Sequence, residues 1–152
     1  MLSAHSGTSD EERFGLQSEV DPIAHLLGTA AGWGGNPDVA ATYDFAAIKE
    51  NDGKTVHKVT VRDVPVDAFW SISVYNAKGF FEKNALDSYS LNNLTAKPNA
   101  DGSITVQFGG CTAKTPNCLE TPANWNYLVR LYRPRKAILD GTWKFPVPAK
   151  AS

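Results

Sequence analysis

The sequence predicts a mainly β fold, an antiparallel β-sandwich that is jelly-roll-like, with a short helical N-terminal segment. Three observations predict it. Apolar residues alternate with polar ones over three separate stretches, the period of a half-buried strand. Gly- and Asn-rich turns separate those stretches at short intervals. Hydrophobic residues make up 42% and charged residues 20% of 152 residues, the balance of a chain that buries a core as one domain.

Residues 1–13, MLSAHSGTSDEER, are polar and without periodicity, and read as a disordered arm or a remnant of cloning, ahead of a single domain over 14–152. Asp21-Pro22 is a cap-plus-proline start, and IAHLLGTAA up to Gly32 reads as a helix of about three turns. Ile23, Leu26, Leu27 and Ala30 share one face of it, with His25 opposite on the wet side. Asn36-Pro37 repeats the device, which predicts a shorter helix over DVAATYDF, residues 38–45.

From Lys54 the period becomes two. After an Asn51-Asp52-Gly53 turn, His57, Val59 and Val61 alternate with Lys58, Thr60 and Arg62. VDAFWSISVY, residues 66–75, is the strongest strand, with Ala68, Trp70, Ile72 and Val74 against Phe69, Ser71, Ser73 and Tyr75. An Asn76–Gly79 turn follows, Phe80 and Phe81 could open a short strand, and residues 87–95 are ambiguous. Asn99 to Gly102 is a hairpin-type turn into SITVQF. In WNYLVRLYR, Tyr127, Val129 and Leu131 alternate with Leu128, Arg130 and Tyr132 until Pro134.

Several function classes are disfavoured. Fifteen Lys plus Arg against sixteen Asp plus Glu leave no net field for nucleic acid. No apolar run approaches the roughly 18 residues of a membrane span, and no secretory leader is visible. There is no nucleophile elbow or phosphate loop, and in GWGGNP Pro37 stands where a dinucleotide fingerprint needs its third Gly. His5, His25 and His57 are not spaced as ligand pairs, so neither a metal site nor a cofactor is expected.

His57 shares a face with Val59 and Val61, which favours a satisfied core histidine, and it is the candidate general base if the chain is a hydrolase or lyase. Glu82, Asp63 and Asp87 are its candidate carboxylate partners, placed near turns and strand ends. Cys111 and Cys118 bracket TAKTPN, a spacing compatible with a hairpin disulfide that adds roughly 2–3 kcal/mol of stability. A disulfide points to a periplasmic or secreted protein; two free thiols in the cytoplasm are the alternative. RLYRPRK contains the one basic cluster, Arg130, Arg133, Arg135 and Lys136, read as a solvated strand end except for Arg130. Arg130 is mid-strand, so it is expected partly buried and either paired or turned toward a ligand cleft.

Trp33, Trp70, Tyr75, Asn76, Tyr89, Asn92, Asn93, Trp125 and Tyr132 form an aromatic and amide set of the kind that lines glycan sites, although Trp70 fits the core better. Asn93-Leu94-Thr95 also matches the glycosylation acceptor pattern.

Five segments carry a resemblance: GTAAGWGGNP, DVPVDAFWSISVYNAKGFFEKN, YSLNN, DGSITVQFGGC and NYLVRLYRPRKAILDGTWKFP. They resemble the domain-of-unknown-function family DUF1214 from about Phe14 to Pro146, most specifically in FWS-x-x-x-YN and RLYRPR-x-x-x-LDG-x-W. The resemblance implies a bacterial, commonly exported protein with a β-rich, jelly-roll-like sandwich. It also implies a domain often placed C-terminal to a DUF1254 domain, which is not found in this chain, so a homodimer is expected to cover the equivalent surface. The family lends no catalytic residue.

The resulting expectation is an uncharacterised bacterial sandwich that binds a small polar or sugar-like ligand, with Tyr75, Asn76, Asn92, Arg130 and Tyr132 as contacts. A hydrolase or lyase using His57, with Arg130 steadying negative charge, is the rival reading. A structural or assembly module is the third.

Overall fold

The computed structural model describes residues 36–151 except 47. The expected arm, the helix that contains His25, and Trp33 lie outside the described residues.

Among the described residues eight strands form two four-stranded sheets: β1 (Ala41–Asp44), β2 (His57–Val61), β3 (Trp70–Tyr75), β4 (Ser90–Asn92), β5 (Ile104–Phe108), β6 (Cys118–Leu119), β7 (Asn126–Tyr132) and β8 (Ala149–Lys150). The first sheet has the order β1-β7-β3-β4 and the second β6-β5-β2-β8. The core lies between them. Trp70, Ile72 and Val74 of β3 and Tyr127, Val129 and Leu131 of β7 meet Val59 and Val61 of β2 and Val106 and Phe108 of β5. This is the physical meaning of the period of two: one face of each strand is removed from water, and the hydrophobic gain selects that register over a one-residue slip. Phe108 stacks on Trp125 at 5.3 Å, and Phe145 closes the far end edge-on to Trp70 at 5.5 Å.

The expected turns are present and chemically explicable. Asp52 accepts the Lys54 and Thr55 backbone N–H groups and so feeds the chain into β2. Gly53 has φ +75°, and a Cβ there would stand 2.8 Å from the Pro122 carbonyl carbon, so the turn requires glycine on two counts. Asp101 accepts the N–H and Oγ–H of Ser103 in the β5 turn, and these bonds, followed by the Arg62 charge, hold its carboxyl below the usual range.

The structure corrects several expectations. Residues 38–45 are not a helix: Ala40 and Ala41 bond back to the Pro37 carbonyl in a single turn, and the chain then becomes β1. Pairing with β7, from Ala41↔Tyr132 to Asp44↔Val129, supplies more than a short isolated helix could. The strand expected from Val66 begins at Trp70. Val66 makes only an isolated bridge to Pro134, and Ala68 is exposed. Phe80 and Phe81 lie in a loop. The sandwich is not wholly antiparallel, because β6 pairs with β5 in parallel, Gln107↔Cys118 and Phe108↔Leu119. One short helix that the alternation did not announce, α1 (Lys136–Leu139), follows Pro134.

Candidate functional site

The first sheet has a second face, turned away from the core, and the alternation that buries Trp70, Ile72 and Val74 places Ser71, Ser73 and Tyr75 there. Register adds the rest: Arg130 lies opposite Ser71, Leu128 opposite Ser73, and Asn126 opposite Tyr75. On the other side of β3, Asn92 and Ser90 lie opposite Ser71 and Ser73. Tyr75, Asn92, Arg130 and Tyr132, separated by up to 57 residues, therefore share one sheet face.

Arg130 is its centre. The side chain is half-buried; Nη1 donates to Ser73 Oγ at 3.2 Å and Nη2 to Tyr75 Oη at 2.8 Å. Among the described residues no carboxylate lies within ion-pair distance of it, whereas Arg62, Arg135 and Lys150 are paired with Asp101, Asp67 and Glu50. A guanidinium has five N–H donors, so three remain without a partner among the described residues. The Tyr75 ring lies flat against Phe81, centroids 4.9 Å apart and planes within 5°, and Phe81 contacts Tyr89 at 5.6 Å. A partly desolvated cation thus sits beside an aromatic wall whose middle ring, Phe81, is 52% exposed.

The two expected amide contacts serve the backbone. Asn92 Oδ1 accepts the Leu94 and Thr95 N–H groups, fixing the turn after β4. Asn76 Oδ1 accepts Lys78 and Phe80 N–H, and its Nδ2 donates to Glu82 at 3.3 Å, holding the loop that presents Phe81. Tyr132 is stacked on Phe69 at 4.3 Å. Asn93 Oδ1 accepts the Trp70 N–H at 2.9 Å, so the residue matching a glycan acceptor is engaged between strands. Trp125, grouped with the aromatics of a groove, belongs instead to the core. The basic cluster also divides: Arg135 pairs with Asp67, and Arg133 turns through φ +52° into solvent.

His57 is 4% exposed, faces the core edge-on to Trp125 at 5.7 Å, and donates from Nδ1 to the Thr55 carbonyl at 3.0 Å. It borders a cavity of about 290 Å³ with Ile48, Glu50, Pro148 and Lys150. None of its three expected carboxylate partners is there. Glu82 is bonded to Asn76, Asp87 accepts the Tyr89 hydroxyl, and Asp63 lies beyond the opposite end of β2. Glu50, the carboxylate that does line this cavity, sits in a turn and had no pattern to mark it.

A larger cleft, about 470 Å³, opens between β4 at the edge of one sheet and β6 at the edge of the other. Its far wall is the loop closed by Cys111 and Cys118, which are joined in a disulfide with Cα atoms 5.6 Å apart. Ser88 Oγ donates to the Cys118 carbonyl across its floor. Sequence periodicity could not expose this cleft, because a three-residue and a two-residue strand leave too little alternation to read. Among the described residues there is no cluster of metal-ligating side chains, and no helix is long and apolar enough to cross a membrane.

Comparison with solved structures places the fold beside two bacterial proteins. The VPA0106 protein from Vibrio parahaemolyticus superposes with a TM-score of 0.74 at 23% identity, over 89% of this chain and 36% of its own. An uncharacterised protein from Burkholderia cenocepacia gives 0.52 at 20% identity, over 72% of this chain and 30% of its own. The chain thus spans about a third of the length of these relatives, and the likeness is one of fold. No curated protein matches it. The family model described as a protein of unknown function, DUF1214, matches residues 39–136, which include every strand from β1 to β7, and the chain belongs to that family.

Proposed function

We propose that this protein is a binding module for a small polar, sugar-like ligand bearing an anionic group, held on the outer face of the β1-β7-β3-β4 sheet. The observation that carries the reading is Arg130: a half-buried guanidinium with two neutral acceptors and no carboxylate partner among the described residues. A charge drawn partly out of water is costly unless an opposite charge approaches, and a planar fork fits a carboxylate or phosphate. Tyr75, having accepted from Arg130, keeps its own O–H to donate to the same ligand. Phe81 offers an apolar surface for the face of a sugar ring.

The test is an NMR titration of the full chain with galacturonate, glucuronate and glucose 6-phosphate, with glucose as the uncharged control. An anionic sugar should shift the Arg130 Nε–Hε resonance, and Arg130→Gln should abolish binding while leaving the thermal midpoint nearly unchanged. If the anionic sugars and glucose behave alike, or if Arg130→Gln binds as wild type does, the reading is wrong.

A second reading, a hydrolase or lyase, is supported only by His57, whose anchored Nδ1 would leave Nε2 as the basic nitrogen beside its cavity. The disulfide supports an oxidising compartment, hence the periplasm or secretion. A two-fold homodimer belongs to the same proposal. It is supported by β1, an edge strand with Val39, Tyr43 and Phe45 exposed on or beside it. Light scattering at high micromolar concentration should then give twice the chain mass, and a strict monomer would exclude it.

A further inference from the structure

The cleft between the two sheet edges and the Arg130 cluster are neighbours. Ser73, which accepts from Arg130, lies directly opposite Ser90 in the β3–β4 ladder, and Ser90 lines the cleft. From β7 through β3 to β4 is two strand spacings, roughly 10 Å. One sugar ring is too short to cover that distance; two linked rings can.

The two ends differ in chemistry. At the cleft the lining has no Asp, Glu, Lys or Arg; Ser88, Ser90, Thr112 and Thr115 supply hydroxyls, and Leu86 and Leu91 supply apolar surface. Some of those hydroxyls are free to bind. Ser90 Oγ has no hydrogen bond among the described residues, and the Thr112 and Thr115 hydroxyls, 2.8 Å apart, need only one donated proton between them. Asn117, by contrast, is spent on Lys97 and Thr105. Backbone groups contribute as well. Tyr89 and Asn93 carry the bonds to Val74 and Trp70, so the alternating ladder points the N–H and C=O of Ser90 away from β3, toward the open edge.

An extended peptide adding to that edge would need a run of such groups. It does not find one: β4 is three residues long, and the Asn92 carbonyl is already taken by Ala96 N–H at 2.9 Å. A single outward N–H and C=O flanked by hydroxyls suits a hydroxylated ligand better than a strand.

We infer that the ligand is an acidic disaccharide, its carboxylate on Arg130 and its second, uncharged portion in the cleft between β4 and the disulfide loop. This rests on the binding reading above and adds the ligand's length and polarity. Ser90 is then a specificity-determining residue for the second ring. The loop that Cys111 and Cys118 close, which brings Thr112 and Thr115 to the cleft, forms the wall opposite.

The test is calorimetric titration of the full, oxidised chain with three sets of probes. These are monouronates (galacturonate, glucuronate), uronate disaccharides whose second sugar is neutral (cellobiouronate, glucuronosyl-xylose, glucuronosyl-galactose) and neutral disaccharides (cellobiose, lactose). The tightest uronate disaccharide should bind at least tenfold more tightly than any monouronate or neutral disaccharide. Ser90→Val should bring it down to the monouronate level without changing monouronate affinity, and Arg130→Gln should bring it down to the neutral level. If monouronates bind as tightly as disaccharides and Ser90→Val changes nothing, the two-ring inference is overturned while the Arg130 reading stands. If no acidic probe is preferred over a neutral one, both fall. A thermal scan of each variant distinguishes lost binding from lost folding.

Discussion

Arg130 on β7 donates to the hydroxyl of Tyr75 on β3 at 2.8 Å, across a pair of strands joined by register but 55 residues apart in the chain. The pair holds a positive charge against a neutral oxygen, and this separates what the arginine does for stability from what it does for binding.

Tyr75→Phe removes the acceptor and should cost roughly 1 kcal/mol in urea unfolding, the usual net worth of one such bond. Arg130→Met should cost no more than about 1–2 kcal/mol, because it removes a half-buried charge lacking an ionic partner but takes the donor from Ser73 Oγ and Tyr75 Oη. A loss of several kcal/mol on Arg130→Met would show that the guanidinium is structural, and the binding proposal would lose its main support.

The disulfide loop is short, so its stabilisation is bounded. Closing eight residues restricts the unfolded chain by about 2.5 kcal/mol in the chain-entropy description. Cys111→Ser with Cys118→Ser should lower the stability measured by denaturant by that order. It should also weaken disaccharide binding while leaving monouronate binding intact, since Thr112 and Thr115 border the cleft and not Arg130.

Tyr127 gives a pH signature at the alkaline end. Burial first, and then the nearby Asp44 charge, push its phenol up to about 12, against a smaller opposing hydrogen bond from the Ala46 backbone. The folded state therefore holds this proton more tightly than the unfolded chain, whose tyrosines ionise near pH 10. The associated stability, of order 2–3 kcal/mol, is fully present below pH 10 and is lost as pH rises from 10 through 12. Absorbance titration near 295 nm should show one tyrosine ionising last, and Tyr127→Phe should remove the decline in unfolding midpoint over that interval.

His57→Ala should lower stability by about 2 kcal/mol or more, through the cavity it leaves against Trp125 and the lost bond to Thr55. Ligand binding at Arg130 should be unchanged. A variant that folds, binds as wild type does and has lost a measurable hydrolytic activity would instead favour the catalytic reading.

Alternation of apolar and polar residues is enough to locate the long strands and their faces. In β2, β3, β5 and β7 each residue's side follows from its neighbour's, and the hydrophobic gain enforces the assignment. The sequence likewise indicated the turns at Gly53, Gly79 and Gly102, the membership of Trp70 in the core, the cysteine pair and the family. The remaining features depend on contacts between distant segments. Residues 38–45 carry a helix-start signal, and they became β1 because β7 offered an unsatisfied edge, a partner invisible to local propensity. Tyr75 and Arg130 could be placed on outward faces from alternation, but their contact depends on which strand is neighbour to which, and on register between distant segments. The amides of Asn76 and Asn92 suggested a ligand by type alone; their folded geometry commits them to turns. The cleft between β4 and β6 arises where two sheets end side by side, a property of no single segment.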